Sequence, residues 1–190
     1  YVIWPFKTFS ERLAVSLYDV SLITVIVSIK TLFRSATTQT NYRCTAMKPV
    51  RWGVLSTAKI ARERVIPAMQ QSQLCDIHGI ASRDPAKAKK TADDLGIKNT
   101  YDSYEELIAD PEIEAVYNPL PNHLHVPWSI RAAEAGKHVL CEKPIAMNAN
   151  EARDLVTTRD KFGVLIEEAF MPRHHPQWKR VRELLNLGKI

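Results

Sequence analysis

From Val50 onward the apolar positions fall into two alternating patterns. Short continuous apolar runs occupy residues 50–56, 74–81, 113–118, 138–141 and 164–167. Each is bounded by turn-forming residues, as expected of strands buried on both faces. Between them lie stretches with helical spacing. Residues 59–71 set Ile60, Val65 and Met69 on related faces, and Pro67 predicts a kink or restart within them. Pro85–Leu95 is rich in Ala and Lys, with proline early and Gly96 just past the end. Residues 124–135 space Val126, Ile130 and Ala133 for one buried face, and Gly136 ends them. Ser103-Tyr-Glu-Glu106 and Asn148-Ala-Asn-Glu151 have capping-box spacing and predict helices running to Ala109 and to the region of Lys161. A further helix is predicted over 176–187. Strands that alternate with helices form right-handed βαβ units, so the fold class is α/β with a doubly wound parallel sheet.

The first 46 residues break this pattern. Residues 20–33 are apolar and β-branched, but Lys30 and several hydroxyls interrupt them. They fall short of the about 20 apolar residues that span a bilayer. No small-residue cleavage site follows a clean apolar core, so a secretory signal is not indicated. Residues 35–45 are polar, and Met47-Lys-Pro-Val-Arg-Trp-Gly53 then opens the strand pattern at once. Met47 reads as a natural start. Residues 1–46 are therefore expected to be a leader outside the fold, with a targeting or membrane-associated segment as the alternative.

Charge narrows the partners. The formal charge is +5, but residues 1–46 hold five Lys/Arg and two Asp/Glu, against 21 and 19 in the remainder. A nearly balanced body with no basic run interleaved with aromatics argues against a nucleic-acid surface. Cys44, Cys75 and Cys141 are scattered, without C-x-x-C spacing or a companion histidine cluster. No metal site or disulfide framework is expected, and reduced thiols fit a cytoplasmic location. Cys141, inside an apolar run, reads as a buried structural thiol.

Candidate chemistry gathers at strand ends. Ala135-Gly-Lys-His-Val-Leu-Cys-Glu-Lys-Pro144 is a strand that ends in a carboxylate, an ammonium and a proline. Ligands of parallel α/β sheets sit outside the carboxyl ends of the strands, so Lys143 is placed to reach a bound substrate. The first strand runs into Gly53-Val-Leu-Ser-Thr-Ala58, an incomplete dinucleotide fingerprint. Gly53 is read as its first glycine, with Leu55 and Ala58 replacing the others, and the hydroxyls of Ser56 and Thr57 as additional donors. The second strand ends Ile80-Ala-Ser-Arg-Asp-Pro85. Ser82 and Arg83 stand where an NAD site places an acid for the ribose diol, and they suit a 2′-phosphate instead. Lys87 is placed to assist, and Asp84 to cap the following helix. NADP is expected in preference to NAD.

With Asn118-Pro-Leu-Pro-Asn-His-Leu-His125 between them, these motifs occur in an order that closely resembles the glucose–fructose oxidoreductase / inositol dehydrogenase (Gfo/Idh/MocA) family of NAD(P)-dependent oxidoreductases. The resemblance covers about residues 50–176, and the A-G-K-H-V-x-x-E-K-P string is its most specific element. It implies a Rossmann domain, here 47–167, and a crossover into a second α/β domain that covers the nicotinamide, begun here by 168–190. It implies that Gly53, Ser56, Thr57, Ala58, Lys59 and Ile60 meet the cofactor at the first turn, and Ser82, Arg83 and Lys87 at its adenosine end. It implies that Leu120, Asn122 and His125 line the nicotinamide side, and that Arg173 lies near the cofactor at the domain junction. Lys143 would be catalytic, beside the reacting carbon, with Glu142 orienting it or touching the cofactor. Pro144 would shape the turn, often through a cis peptide. On its residues alone His125 reads equally as a packing residue. His174 and His175 are too close in sequence to chelate from one helix face.

The activity so implied is hydride transfer between a nicotinamide and a sugar, polyol or related alcohol or carbonyl substrate. The alternative is a dinucleotide-binding module without catalysis, because the chain stops about one helix into the second domain, before the family's catalytic His or Tyr. An uncovered cleft and sheet edge would follow, and relatives often pair through that open sheet as homo-oligomers. Pro172 stands where relatives commonly carry a bulky residue.

Overall fold

The computed structural model describes residues 48–173 and 175–190. The expectations for the leader, Cys44, Met47 and His174 lie outside the described residues.

Six strands form one parallel sheet in the order β3-β2-β1-β4-β5-β6. β1 (Val50–Leu55) is central and almost wholly buried. Trp52, Gly53 and Val54 pair with β2 (Cys75–Ala81) on one side and with β4 (Ala115–Asn118) on the other. β3 (Asn99–Tyr101) extends β2, and β5 (His138–Glu142) and β6 (Ile166–Ala169) extend β4. Successive side chains of a strand point to opposite faces, and two cores result. Trp52, Val54, Ile80 and Tyr117 pack with Val65, Ile66 and Met69 of the first helical segment. Leu55, Val116 and Val139 pack with Leu107, Ile108 and Ala132 on the other face. The predicted doubly wound sheet is the one observed. β6 runs to Ala169, so the domain limit expected at 167 falls inside a strand.

The first helix shows what Pro67 does. Lys59 and Ile60 lead into a π-helical turn, Ala61–Val65, followed by α1 (Ile66–Gln70). Pro67 has no N–H for a carbonyl one turn back. In the wide turn the Ile66 N–H reaches Ala61 O, and Pro67 sits in the first turn of α1, where no donor is needed.

The predicted caps form. Asp84 accepts from Ala86 N and Lys87 N to start α2 (Pro85–Leu95), and Gly96 ends it at φ +67°. Ser103 accepts from Glu106 N at the head of α3 (Tyr104–Ala109), while Glu106 reaches back to Asp102 N. Asn148 accepts from Asn150 N and Glu151 N to start α5 (Ala149–Phe162). α4 (Asn122–Glu134) begins two residues before the expected 124 and follows Pro121 without a side-chain cap. α6 (Pro176–Asn186) follows a short 3₁₀ turn, Met171–Arg173, and buries no residue.

β3 was not predicted. It has three residues and no apolar run. Tertiary contacts hold it instead: Tyr101 donates to Asp110 Oδ2 at 2.5 Å, and Asn99 Nδ2 donates to His78 O at 2.9 Å. The Tyr101 ring lies over Gly79, where any Cβ would collide with it.

Two predictions follow from this packing. A Cβ at Gly53 would lie 2.5 Å from Leu107 Cδ2 and 2.9 Å from Ile113 Cδ1. Gly53→Ala is therefore expected to cost about 1–3 kcal/mol, read from the urea midpoint. The Tyr101 hydroxyl, then the backbone N–H of Glu112, holds the Asp110 carboxyl below its ordinary value. A depressed carboxylate contributes stability above its unfolded value and loses it as pH falls through the folded one. Tyr101→Phe should cost about 1.5–3 kcal/mol at neutral pH. The gap from the parent protein should narrow below about pH 4, as urea midpoints across pH would show.

Candidate dinucleotide-binding and active site

β1 and β4 are neighbours, yet the chain leaves their carboxyl ends toward opposite faces. A crevice opens between the two departures, the standard place for a ligand in this kind of sheet. The turns after β1, β2, β4 and β5 border it.

The first turn starts later than its sequence suggests. Gly53 lies within β1, opposite Gly79 and Val116, and its missing side chain admits Leu107 and Ile113. It is a packing glycine, not the glycine of the turn, and this corrects the reading from sequence. The turn residue is Ser56, at φ +92°. A β-carbon is disfavoured there, so this is the position a fingerprint glycine would fill. Ser56 N donates to Ala81 O at 2.8 Å, which joins the turn to the end of β2. Ser56 Oγ accepts from Ala58 N at 3.2 Å, and Arg62 Nε donates to Thr57 O at 3.0 Å. Lys59 and Ile60 follow as the first helical residues, with Lys59 largely exposed beside Glu63.

At the end of β2, Ser82 is buried and accepts from Asp84 N at 3.3 Å. Arg83 lies beside the hydroxyl of Tyr104, whose ionisation is pushed up by burial and partly offset by the Arg83 backbone N–H and then by its guanidinium. Lys87 stands 3.4 Å from Asp84, which its backbone N–H, foremost, keeps below the usual carboxylate range. Two positive side chains, Arg83 and Lys87, thus stand at one strand end.

The turns after β4 and β5 are built together. Asn118, fully buried, donates to His125 O at 3.0 Å and to Ser129 Oγ at 3.1 Å, and accepts from Leu120 N at 3.3 Å. These bonds fold Pro119–Pro121 back over the head of α4 and leave Asn122 exposed on its first turn. His125 is 1% exposed, and its Nδ1 and Nε2 lie 2.7 Å from Pro144 O and 2.7 Å from Leu120 O. Of its two readings from sequence, the ring takes the packing one: neither nitrogen is open to the cleft. Beyond β5, Tyr117 donates to Glu142 Oε1 at 2.8 Å, and Glu142 Oε2 accepts from Lys143 N at 3.3 Å. The Lys143–Pro144 peptide is cis. Glu168, on β6, accepts from Ile145 N at 3.0 Å and lies 3.9 Å from Arg173. Among the described residues the Lys143 ammonium has no hydrogen-bond or ion-pair partner, whereas the carboxylates of Glu142 and Glu168 each have one.

Tyr117, Asn118, Ser129 and Glu168 were not singled out from sequence. Asn118 carried the one usable signal, an amide closing an apolar strand. Cys141 is fully buried, and desolvation pushes its thiol up to about 12, as fits a structural cysteine. Among the described residues no helix is long and apolar enough to cross a membrane, and no group of His, Cys, Asp and Glu is arranged to hold a metal ion.

The crevice, the strained first turn and the ammonium on the β5 turn define a dinucleotide-binding α/β domain, and comparison with known proteins agrees. The chain belongs to the Gfo/Idh/MocA family, described as an oxidoreductase family with an NAD-binding Rossmann fold, whose profile matches residues 50–170. It is 53% identical over 144 residues to an uncharacterized oxidoreductase of Rhizobium meliloti, covering 76% of this chain and 43% of that protein. It is 48% identical over 141 residues to an NADP-dependent D-xylose 1-dehydrogenase of Haloferax volcanii, covering 73% and 43%. Among solved structures, the 3-ketoreductase KijD10 of Actinomadura kijaniata, in complex with NADP and TDP-benzene, superposes with a TM-score of 0.71 at 39% identity, over 75% of this chain and 43% of that one. The chain thus spans less than half the length of the relatives it matches.

The turn predicts its own tolerance. Ser56→Val, with a β-branched residue at positive φ, should lower stability by about 1–3 kcal/mol, while Ser56→Gly keeps or raises the melting temperature. Equal melting temperatures for the two variants would show that the turn does not impose this conformation.

Proposed function

We propose that this chain is the dinucleotide-binding part of an NADP-dependent oxidoreductase that moves a hydride between the nicotinamide and the carbinol or carbonyl carbon of a sugar, polyol or related substrate. The observation that carries this reading is the Lys143 ammonium, unpaired among the described residues on the turn after β5 and one strand from the crevice.

The residues present fit the cofactor. The Ser56–Ile60 turn offers backbone N–H groups at a helix start, which suit a pyrophosphate. Ser82, Arg83 and Lys87 suit a 2′-phosphate, for which charge-assisted bonds to a guanidinium are strong. The bound nicotinamide supplies the hydride chemistry. Lys143 would hold its proton-rich amine against the substrate oxygen and stabilise the negative charge that develops there. Tyr117 fixes Glu142, and Glu142 in turn caps the Lys143 N–H, so that the turn keeps one shape. The sugar-like substrate class is supported by relatives that include a xylose dehydrogenase and a sugar 3-ketoreductase. A proton donor from another part of the protein would complete the reaction.

Calorimetric titration tests the cofactor assignment. NADPH should bind more tightly than NADH, and Arg83→Ala should remove about tenfold or more of that preference. Equal affinities in the parent protein would sink the 2′-phosphate assignment, and no binding of either would sink the function.

A further inference from the structure

We propose that Glu168 is a positioning residue: its carboxylate carries the turn of Lys143 and ties that turn to the segment that leaves the sheet after β6. The part that concerns Lys143 as the reacting cation rests on the function proposed above.

The turn Lys143-Pro144-Ile145 has two backbone donors, because proline has no N–H. Lys143 N donates to Glu142 Oε2 at 3.3 Å, and Ile145 N donates to Glu168 Oε1 at 3.0 Å. Both donors thus end on carboxylates, and bonds to an ionised acceptor are about twice as strong as neutral ones. Glu142 ends the strand that the turn leaves, one residue before Lys143, so its bond is local. Glu168 lies 23 residues from Ile145, and its bond ties the turn to a different strand.

Strand register puts the carboxylate in place. Glu168 pairs with Cys141, and Ala169 with Glu142, at the end of β5. Ile166 packs against the same core as Ile145. Alternation along β6 sets Glu168 on the face of Ile166, beneath the turn. The Glu168 side chain is 20% exposed, and Arg173 Nη2 stands 3.9 Å from its other oxygen. The charge therefore keeps both water and a cation within reach, and its burial costs little.

The same residue opens the next segment. Phe170 N donates to Glu168 O at 2.7 Å, and Arg173 N to Phe170 O at 3.2 Å, around the 3₁₀ turn Met171–Arg173. The Glu168 backbone thus holds the start of the segment after β6, while its side chain holds the Lys143 turn. A displacement of that segment reaches Lys143 through one residue.

The test uses the ¹⁵N-labelled chain. Without cofactor, Glu168→Ala should speed hydrogen exchange of the Ile145 amide by about tenfold or more, while the capped amides of Glu106 and Asn150 exchange as in the parent. Glu168→Gln, which retains an acceptor oxygen, should recover most of the protection. Arg173→Met should move the Ile145 amide signal. An Ile145 amide that exchanges unchanged in Glu168→Ala overturns the clamp, and one unmoved in Arg173→Met overturns the link to the segment after β6. The positioning role is read with cofactor. NADPH should lose its nicotinamide fluorescence enhancement on binding Glu168→Ala and regain it on Glu168→Gln. 2′,5′-ADP, which fills only the adenine end, should bind both variants as it binds the parent. Unchanged enhancement in Glu168→Ala overturns the positioning role. If that variant does not fold, Glu168→Asp, one methylene short of the Ile145 N–H, takes its place in both measurements. A parent protein that binds neither NADPH nor 2′,5′-ADP would refute the proposed function, while the exchange rates decide the clamp separately.

Discussion

Everything at the candidate site depends on β1 having different neighbours on its two sides. Val54 pairs with Ile80 of β2 and with Tyr117 of β4, both parallel. The chain turns to one face after β1 and to the other after β4, so among the described residues the two connections leave the gap between them open. A parallel sheet offers such an opening only where the winding reverses. The Ser56 turn, the Ser82–Lys87 corner and the Lys143 turn are functional candidates because they end strands around this reversal.

The side chains beneath those turns are as specific as the ones that face the cleft. Tyr117, Asn118, His125 and Glu168 each spend their polar atoms on backbone or on a neighbouring side chain. Buried polar groups need partners. Here the partners are the turns themselves, so satisfying the interior also fixes the rim. Lys143, by contrast, has none among the described residues. A fixed frame around one free cation is what preorganised electrostatic stabilisation requires.

The alternation of strands and helices was legible because buried parallel strands and capped helices leave strong local marks. Asp84, Ser103 and Asn148 were readable as caps before any contact was known. Three features were not. β3 is held by Tyr101 and Asn99 through partners 9 and 21 residues away, outside the window of a short strand. The first-turn frame was misread because a glycine attracts attention, whereas the conformation that calls for one falls on Ser56. His125 was left between two roles, since a histidine one turn into a helix looks alike whether its ring faces a cleft or two carbonyls. The strings that identify the family were legible, but the reasons for their residues lie in tertiary bonds.

The central claim is that the cofactor lies across the carboxyl ends of β1 and β4 and reaches the turn after β5. Amide chemical-shift mapping during an NADPH titration tests it most directly. Binding at the proposed site moves residues 56–60, 82–87, 120–122 and 142–145 and leaves Asp76, Glu114 and Lys137, at the opposite edge of the sheet, in place. Shifts confined to that opposite edge, or saturable binding that leaves the Lys143 turn unmoved, would contradict it.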